Sequence, residues 1–149
     1  MLQIVKTSLT EKKFEEYEKL SMQTKYGVNL HPSWLRAYID HFGYKGKELF
    51  LELRDSNSND LKGLLPLVVQ EQKDTRFVKL KRLLPCGYRP TDFFPLAIKP
   101  GFEEDFSKLI VEWLTLNSDQ WDRIFINYIP KHSSPWSSLV EEFQKMDLK

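Results

Sequence analysis

Apolar positions are densest at 61–69, where Leu61, Leu64, Leu65, Leu67, Val68 and Val69 surround Gly63 and Pro66. The run falls far short of the ~20 apolar residues that a membrane-spanning helix needs. Branched residues bounded by turn signals suit a strand buried on both faces, although a short helix has the same periodicity. Pro66 weighs against the helix, because an interior proline loses a hydrogen bond and clashes with the preceding turn. Nor can it donate to a sheet ladder, so the strand is expected to bulge, or to lose its partner on one side, near that residue. The segment reads as the central strand of a mixed α/β domain.

The pattern supplies further elements on both sides of it. Residues 2–6 alternate weakly, as an edge strand would. Ser8 and Glu11 have the capping-box spacing and predict a helix to about residue 23. Phe14, Tyr17 and Leu20 lie along its apolar stripe, leaving a solvated Lys/Glu-rich face. A second helix has Pro32 in its first turn and Gly43 just past its end. Its broad apolar face carries Trp34, Leu35, Tyr38, Ile39 and Phe42. Residues 48–54 form a strand with Leu49, Leu51 and Leu53 on one side, and the turn cluster 56–60 joins it to the central strand as an antiparallel hairpin.

A third strand is expected over 76–84 after the polar break 72–75, then a loop over 85–90 and a short strand over 92–97. The next helix begins near Gly101, with Glu103, Glu104 and Asp105 in a first turn where negative charge suits the helix dipole. Phe102, Phe106, Leu109, Ile110, Trp113 and Leu114 make its buried stripe. Residues 121–129 read as a strand. Ser134 caps a last helix with Pro135 at its first position, burying Trp136, Leu139, Val140 and Phe143. The expected order is β-α-α-β-β-β-β-α-β-α, without internal repeat, low-complexity tract or interdomain linker. The fold class is α/β (α+β): one domain over 1–149, a mixed central sheet flanked by helices.

Composition changes this picture little. With 41% hydrophobic and 13% aromatic residues there is ample material for a core, and disorder is not expected. Four Trp, six Tyr and ten Phe are many for 149 residues, and some could be meant for a partner domain. A net charge of +1 gives no electrostatic reason to favour nucleic acid, a membrane surface or an acidic substrate. The single cysteine, Cys86, excludes an internal disulfide and is compatible with a reducing compartment. No charged segment followed by an apolar one opens the chain, so no secretory signal is visible and a cytoplasmic protein without membrane span is expected.

Candidate chemistry is sparse. His31, His41 and His132 lack metal-ligand spacing to one another or to Cys86, and no His-Glu-x-x-His occurs. Asp40 and His41 are helix neighbours whose side chains point apart. Nothing beside Cys86 marks an activated thiol. No Gly-x-Ser-x-Gly elbow, Walker loop or Gly-x-Gly-x-x-Gly is present. Gly43-Tyr44-Lys45-Gly46 matches the Gly-x-x-Gly of a KH domain, but a strand pattern follows where a helix should, so it reads as a turn. Lys73, Arg76, Lys79, Lys81 and Arg82 form a basic cluster, with Lys79 and Lys81 on one strand face and Val78 and Leu80 on the other. A solvated or edge-protecting role suits it. Only Phe77 is available as an interleaved aromatic, too little for single-strand nucleic-acid binding. The loop after the third strand gathers Tyr88, Arg89, Thr91 and Asp92 between two strands. Polar side chains at strand ends often line clefts, so Tyr88, Arg89 and Asp92 are the candidate substrate contacts, although an Arg89–Asp92 pair that merely staples the loop fits equally.

Four segments carry a resemblance. They are Pro32-Ser33-Trp34-Leu35-Arg36-Ala37-Tyr38 through His41-Phe42-Gly43, Lys62-Gly63-Leu64-Leu65-Pro66-Leu67, Thr91-Asp92-Phe93-Phe94-Pro95-Leu96, and Trp121-Asp122-Arg123-Ile124. In order and spacing they resemble the N-terminal half of CelD-like acetyltransferases, a branch of the GNAT superfamily associated with polysaccharide biosynthesis. The resemblance covers roughly 28–129, and the β-α-α-β-β-β start is the GNAT topology. It implies a tandem protein whose C-terminal GNAT half, beyond this chain, holds the better-preserved acyl-CoA site. GNAT enzymes cradle the coenzyme pyrophosphate on a Gln/Arg-x-x-Gly-x-Gly/Ala turn at a helix N-terminus. Here the corresponding segment, 91–104, offers Pro100-Gly101 followed by acidic residues, so no acyl-CoA-binding residue carries across. The implied role is a degenerate half of an acyl-CoA-dependent N/O-acyltransferase, a scaffold or acceptor-binding surface for a small molecule or sugar. Acetyl-CoA or another acyl-CoA would then belong to the full-length protein, and no cofactor to this chain. The alternatives are a non-enzymatic α/β interaction module and a small stand-alone acyltransferase with an atypical CoA site.

Overall fold

The computed structural model describes residues 1–24, 30–41, 46–73, 75, 77–87, 96–126 and 134–145, the last segment with side chains from Trp136 onward. The elements follow the expected order: β1 (Leu2–Thr7), α1 (Phe14–Met22), α2 (Pro32–His41), β2 (Lys47–Asp55), β3 (Leu61–Lys73), β4 (Lys79–Pro85), β5 (Ala97–Ile98), α3 (Glu103–Leu116), β6 (Arg123–Ile124) and α4 (Ser134–Lys145). The sheet runs β1-β2-β3-β4-β6, with β5 also paired to β3. All neighbours are antiparallel except β4 and β6, which are parallel. This is a mixed α+β architecture with a central sheet flanked by helices. None of the described helices is long and apolar enough to cross a membrane.

The 61–69 segment is the middle strand, flanked by β2 on one side and by β4 and β5 on the other. Alternation splits its side chains between two cores, as a strand buried on both faces requires. Leu65, Leu67 and Val69 meet Leu49, Leu51 and Leu53 of β2 under Phe106, Ile110 and Leu114 of α3 and Trp136 and Leu139 of α4. Leu64 and Val68 face the opposite way, against Phe50, Tyr17 and Leu20 of α1, and Leu35 and Tyr38 of α2. Each large apolar side chain fully buried in this way contributes roughly 1.5–3 kcal/mol.

The sheet bulges where Leu53 pairs with Gly63 and Arg54 with Leu61, which turns Leu61 toward the α1/α2 core. At Pro66 a different irregularity appears, on the β4 side. Cys86 N–H donates to the Pro66 carbonyl at 2.9 Å. The reciprocal bond is impossible, because Pro66 has no N–H to return. The β4 ladder ends one residue away, at Leu67↔Pro85, and β5 takes up pairing with β3 again at Leu64↔Ala97. Among the described residues the expected loss of a ladder partner near Pro66 is therefore observed.

Three expectations are corrected. No capping box forms at Ser8: Leu9 is drawn into the core, where its N–H also donates to the Glu48 carboxylate at 2.8 Å. The backbone stays extended through Thr10, and α1 starts at Phe14 behind a 3-10 turn over Glu11–Lys13. Nor is the Lys/Glu face of α1 merely solvated, since Lys13 and Glu16 reach charged groups of β2. The third strand starts later than expected, at Lys79, which leaves Val78 outside it and exposed. Among the described residues β5 and β6 are two-residue strands, while 92–95 and 127–129 lie outside the described residues.

Candidate functional site

Tyr88, Arg89 and Asp92 lie outside the described residues, as do Thr91 and His132. The frame that holds their segment can be built from the strands on either side. On β4 the backbone groups of successive residues point alternately to β3 and to β6. Asp122 N–H donates to Lys81 O at 2.8 Å and Phe125 N–H to Leu83 O at 2.9 Å, so odd residues face β6. Cys86 N–H, bonded to Pro66 O, faces β3. The next residue on the β6 side is Pro85, which offers a carbonyl but no amide hydrogen.

The parallel pairing of β4 with β6 is brief, confined to Arg82↔Arg123 and Leu83↔Ile124. The Asp122 carboxylate closes its start by accepting the Lys81 N–H at 2.7 Å. Past Leu83 the two strands are not paired to each other among the described residues. The chain leaves β4 at Cys86 and Gly87, the latter at φ 97°, and rejoins the sheet as β5. Strand β5 is antiparallel to β3, as β4 is, so β4 and β5 follow one another along the same edge of β3.

After β5 the chain enters α3 through Lys99, Pro100, Gly101 and Phe102. Lys99 N–H donates to Lys62 O at 2.8 Å and continues the β5 ladder. Gly101 sits at φ +86°, a left-handed conformation that glycine adopts without strain. Its N–H points at the Glu103 carboxylate, which accepts it at 2.8 Å. Glu104 and Asp105 follow in the same first turn, and Phe102 provides no side-chain cap. The N-terminus of α3 thus carries its own anion.

The other chemistry-bearing residues fall elsewhere. Cys86 is fully buried, and burial first and the Glu48 charge second push its thiol well above the usual range. A thiol held so is an inert core group. His31 is 3.3 Å from Glu18 through Nε2, and its Nδ1 accepts the Ser33 N–H at the start of α2. His41 is exposed at the end of α2. No cluster of three or more His, Cys, Asp or Glu that could hold a metal occurs among the described residues. The basic cluster divides. Lys73, Lys79 and Lys81 share one face, whereas Arg82 turns to the other, bonds the Gln72 side chain and lies 5.5 Å from the Phe125 ring centroid.

One constellation escaped the sequence reading. Glu52 of β2 is fully buried, and its carboxylate accepts from Tyr17 OH at 2.5 Å, Lys13 Nζ at 2.6 Å and Arg54 Nε at 2.6 Å. Arg54 in turn holds Glu16 at 2.8 Å and the Asn59 carbonyl at 2.7 Å. Burial pushes the Glu52 carboxyl upward, but the hydrogen bonds from Arg54, Lys13 and Tyr17 outweigh it and hold it below the ordinary carboxylate range. Burial first, and then the Glu52 charge, raises the Tyr17 hydroxyl. The network fastens α1 to the sheet. A readable signal existed in opposite charges two residues apart on β2, with Lys13 and Glu16 one helical turn apart.

No protein-family model and no curated protein matches the chain. Solved structures do. An acetyltransferase of Trypanosoma brucei superposes with a TM-score of 0.56 at 10% identity, covering 100% of this chain and 94% of that one. An aminoglycoside antibiotic 6'-N-acetyltransferase of Acinetobacter baumannii gives 0.55 at 9% identity, over 99% of this chain and 92% of that one. A glucosamine-6-phosphate N-acetyltransferase of Arabidopsis thaliana gives 0.50 at 12% identity, over 100% and 93%. At such identities the likeness is one of architecture, and the chain has the fold of the GNAT acetyltransferases.

Proposed function

We propose that this chain is a GNAT-fold domain that does not hold an acyl donor itself. It serves as a scaffold and acceptor-binding surface for a catalytic GNAT half of the same protein. The observation that carries this reading is the Gly101 N–H bonded to Glu103 at the head of α3. In this fold the turn entering that helix is where a coenzyme pyrophosphate would seat, on free backbone N–H groups. Here the Glu103 carboxylate already has the Gly101 amide, and Glu104 and Asp105 add charge of the same sign.

Magnitudes favour exclusion. A helix N-terminus attracts an anion by about 0.3–1 kcal/mol at an exposed site. One carboxylate ~4 Å from a phosphate opposes it by about 4 kcal/mol at an effective dielectric near 20. The residues present therefore do not fit the pyrophosphate. Pro85 supports the same reading, since it offers no amide hydrogen on the β6 side, and backbone N–H groups are among the donors that stabilise the oxyanion of acyl transfer. The acceptor class, a small molecule or sugar, comes with the CelD-like resemblance, while a cytoplasmic location is compatible with the single cysteine.

Isothermal calorimetry with acetyl-CoA tests the proposal directly. The expected result is no saturable heat up to about millimolar coenzyme. Saturable micromolar binding that amide chemical shifts place at the head of α3 would overturn the reading and favour a stand-alone acyltransferase with an atypical site.

A further inference from the structure

A recess lies at the opposite end of β4, away from the β4–β6 divergence and the head of α3. It is a depression of about 420 Å³, lined among others by Lys6, Lys47, Leu49, Glu71, Lys81 and Gln120. That volume falls within the ~300–1,000 Å³ range of small-molecule pockets. Its floor is the sheet face that α3 covers further along, where half-buried Val69 offers apolar surface beside the buried Leu49. Its wall is the 3-10 turn Ser118–Gln120 after α3.

The strand registers bring three lysines to this one face. Lys6 pairs with Leu51, Lys47 with Val69 and Lys81 with Glu71, so all three point to the α3 side from β1, β2 and β4. None of the three makes an ion pair within 4 Å among the described residues. Glu48, although part of the lining, has its carboxylate bonded to the Leu9 N–H. Glu71 stands opposite Lys81 and Asp119 lies in the wall, so the lining sets three carboxylates against three lysines, none of them in direct contact.

The rim is braced rather than loose. Lys6 Nζ donates to Gln120 Oε1 at 2.9 Å, Gln120 Nε2 donates to Asn117 Oδ1 at 2.8 Å, and Asn117 Nδ2 donates to the Trp113 carbonyl at 2.8 Å. This relay fixes one cation at the mouth without neutralising it, because Gln120 carries no charge. Holding a cation in place before a ligand arrives lowers the ordering cost of binding.

We propose that this recess binds a small molecule bearing a phosphate or carboxylate, with the anionic group held by Lys6 and Lys47 and bounded by Lys81. A hydroxyl or amine on the same ligand would meet Glu71 and Asp119. The site stands apart from the head of α3 and does not depend on whether that end accepts a coenzyme.

Inorganic pyrophosphate and citrate, titrated separately at fixed ionic strength and followed by ¹H–¹⁵N NMR, are the probes. Expected are saturable shifts at Lys6, Lys47, Lys81 and Gln120 with at least one of them, the tighter probe naming the anion type. The double variant Lys47→Gln/Lys81→Gln should weaken that affinity at least tenfold with an unchanged melting temperature. Lys79→Gln, on the same face but outside the recess, should stay within twofold. No saturation with either probe, or equal losses in both variants, would overturn the site and leave only a diffuse basic surface. Acetyl-CoA calorimetry on the double variant separates the two proposals, since binding there would refute the donor-free reading and leave the recess untouched.

Discussion

Glu52 shows how far one residue can depart from its sequence context. It sits in Glu48-Leu49-Phe50-Leu51-Glu52-Leu53-Arg54, which alternates as though its even positions met water. They do not, because α1 and α2 cover that face and Phe50, Glu52 and Arg54 are all buried. Removing one partner of a buried ion pair typically costs 3–5 kcal/mol. Glu52→Gln should therefore lower stability by roughly 3 kcal/mol in urea unfolding, and Tyr17→Phe by only about 1 kcal/mol. Because the folded carboxyl is held below its unfolded value, its contribution is fully present above the unfolded pKa of ~4.3 and disappears as pH falls through the folded value. The acid limb of melting temperature against pH should be shallower in Glu52→Gln than in the parent. Gly63 is a second such position, where a Cβ would lie 2.6 Å from the Phe106 ring in the core. Overpacking of this kind costs typically 1–3 kcal/mol, so Gly63→Ala should lower the melting temperature by roughly 2–12 °C.

At the scale of elements, order and type were legible and several boundaries were not. Leu49, Leu51 and Leu53, the 56–60 turn and the 61–69 run specify the β2–β3 hairpin locally, and it forms as expected. The helix starts at Phe14 rather than just after Ser8, because Leu9 packs into the core and the backbone stays extended through Thr10. Pro66 signalled an interruption, but its consequence needed a partner strand: only pairing with Cys86 and Pro85 shows that β4 breaks and β5 resumes. The acidic head of α3 was legible as helix-stabilising charge, and the Gly101–Glu103 bond gives it a specific partner. Glu103→Gln should destabilise the protein by about 0.3–1 kcal/mol through the weakened dipole interaction, seen as a melting temperature lower by about 1–4 °C. An unchanged or raised melting temperature would mean that the carboxylate does not serve the helix.

For the whole molecule, one sheet separates two apolar cores and leaves two unlike ends. At one, among the described residues, Pro85 offers β6 no amide hydrogen and the first turn of α3 carries Glu103, Glu104 and Asp105. At the opposite end, lysines from three strands surround a braced recess. The second of these was invisible in the sequence, where Lys6, Lys47 and Lys81 are tens of residues apart and only Lys81 belonged to the recognised basic cluster. The amino-acid sequence by itself determined the element order, the central strand and the apolar stripes, because each depends on near neighbours and their periodicity. The tertiary structure alone decided which strands are adjacent and in what register, and hence which charges are buried against which. Those outcomes are set by long-range pairing, and a shift of one residue in register would send every side chain of a strand to the other face.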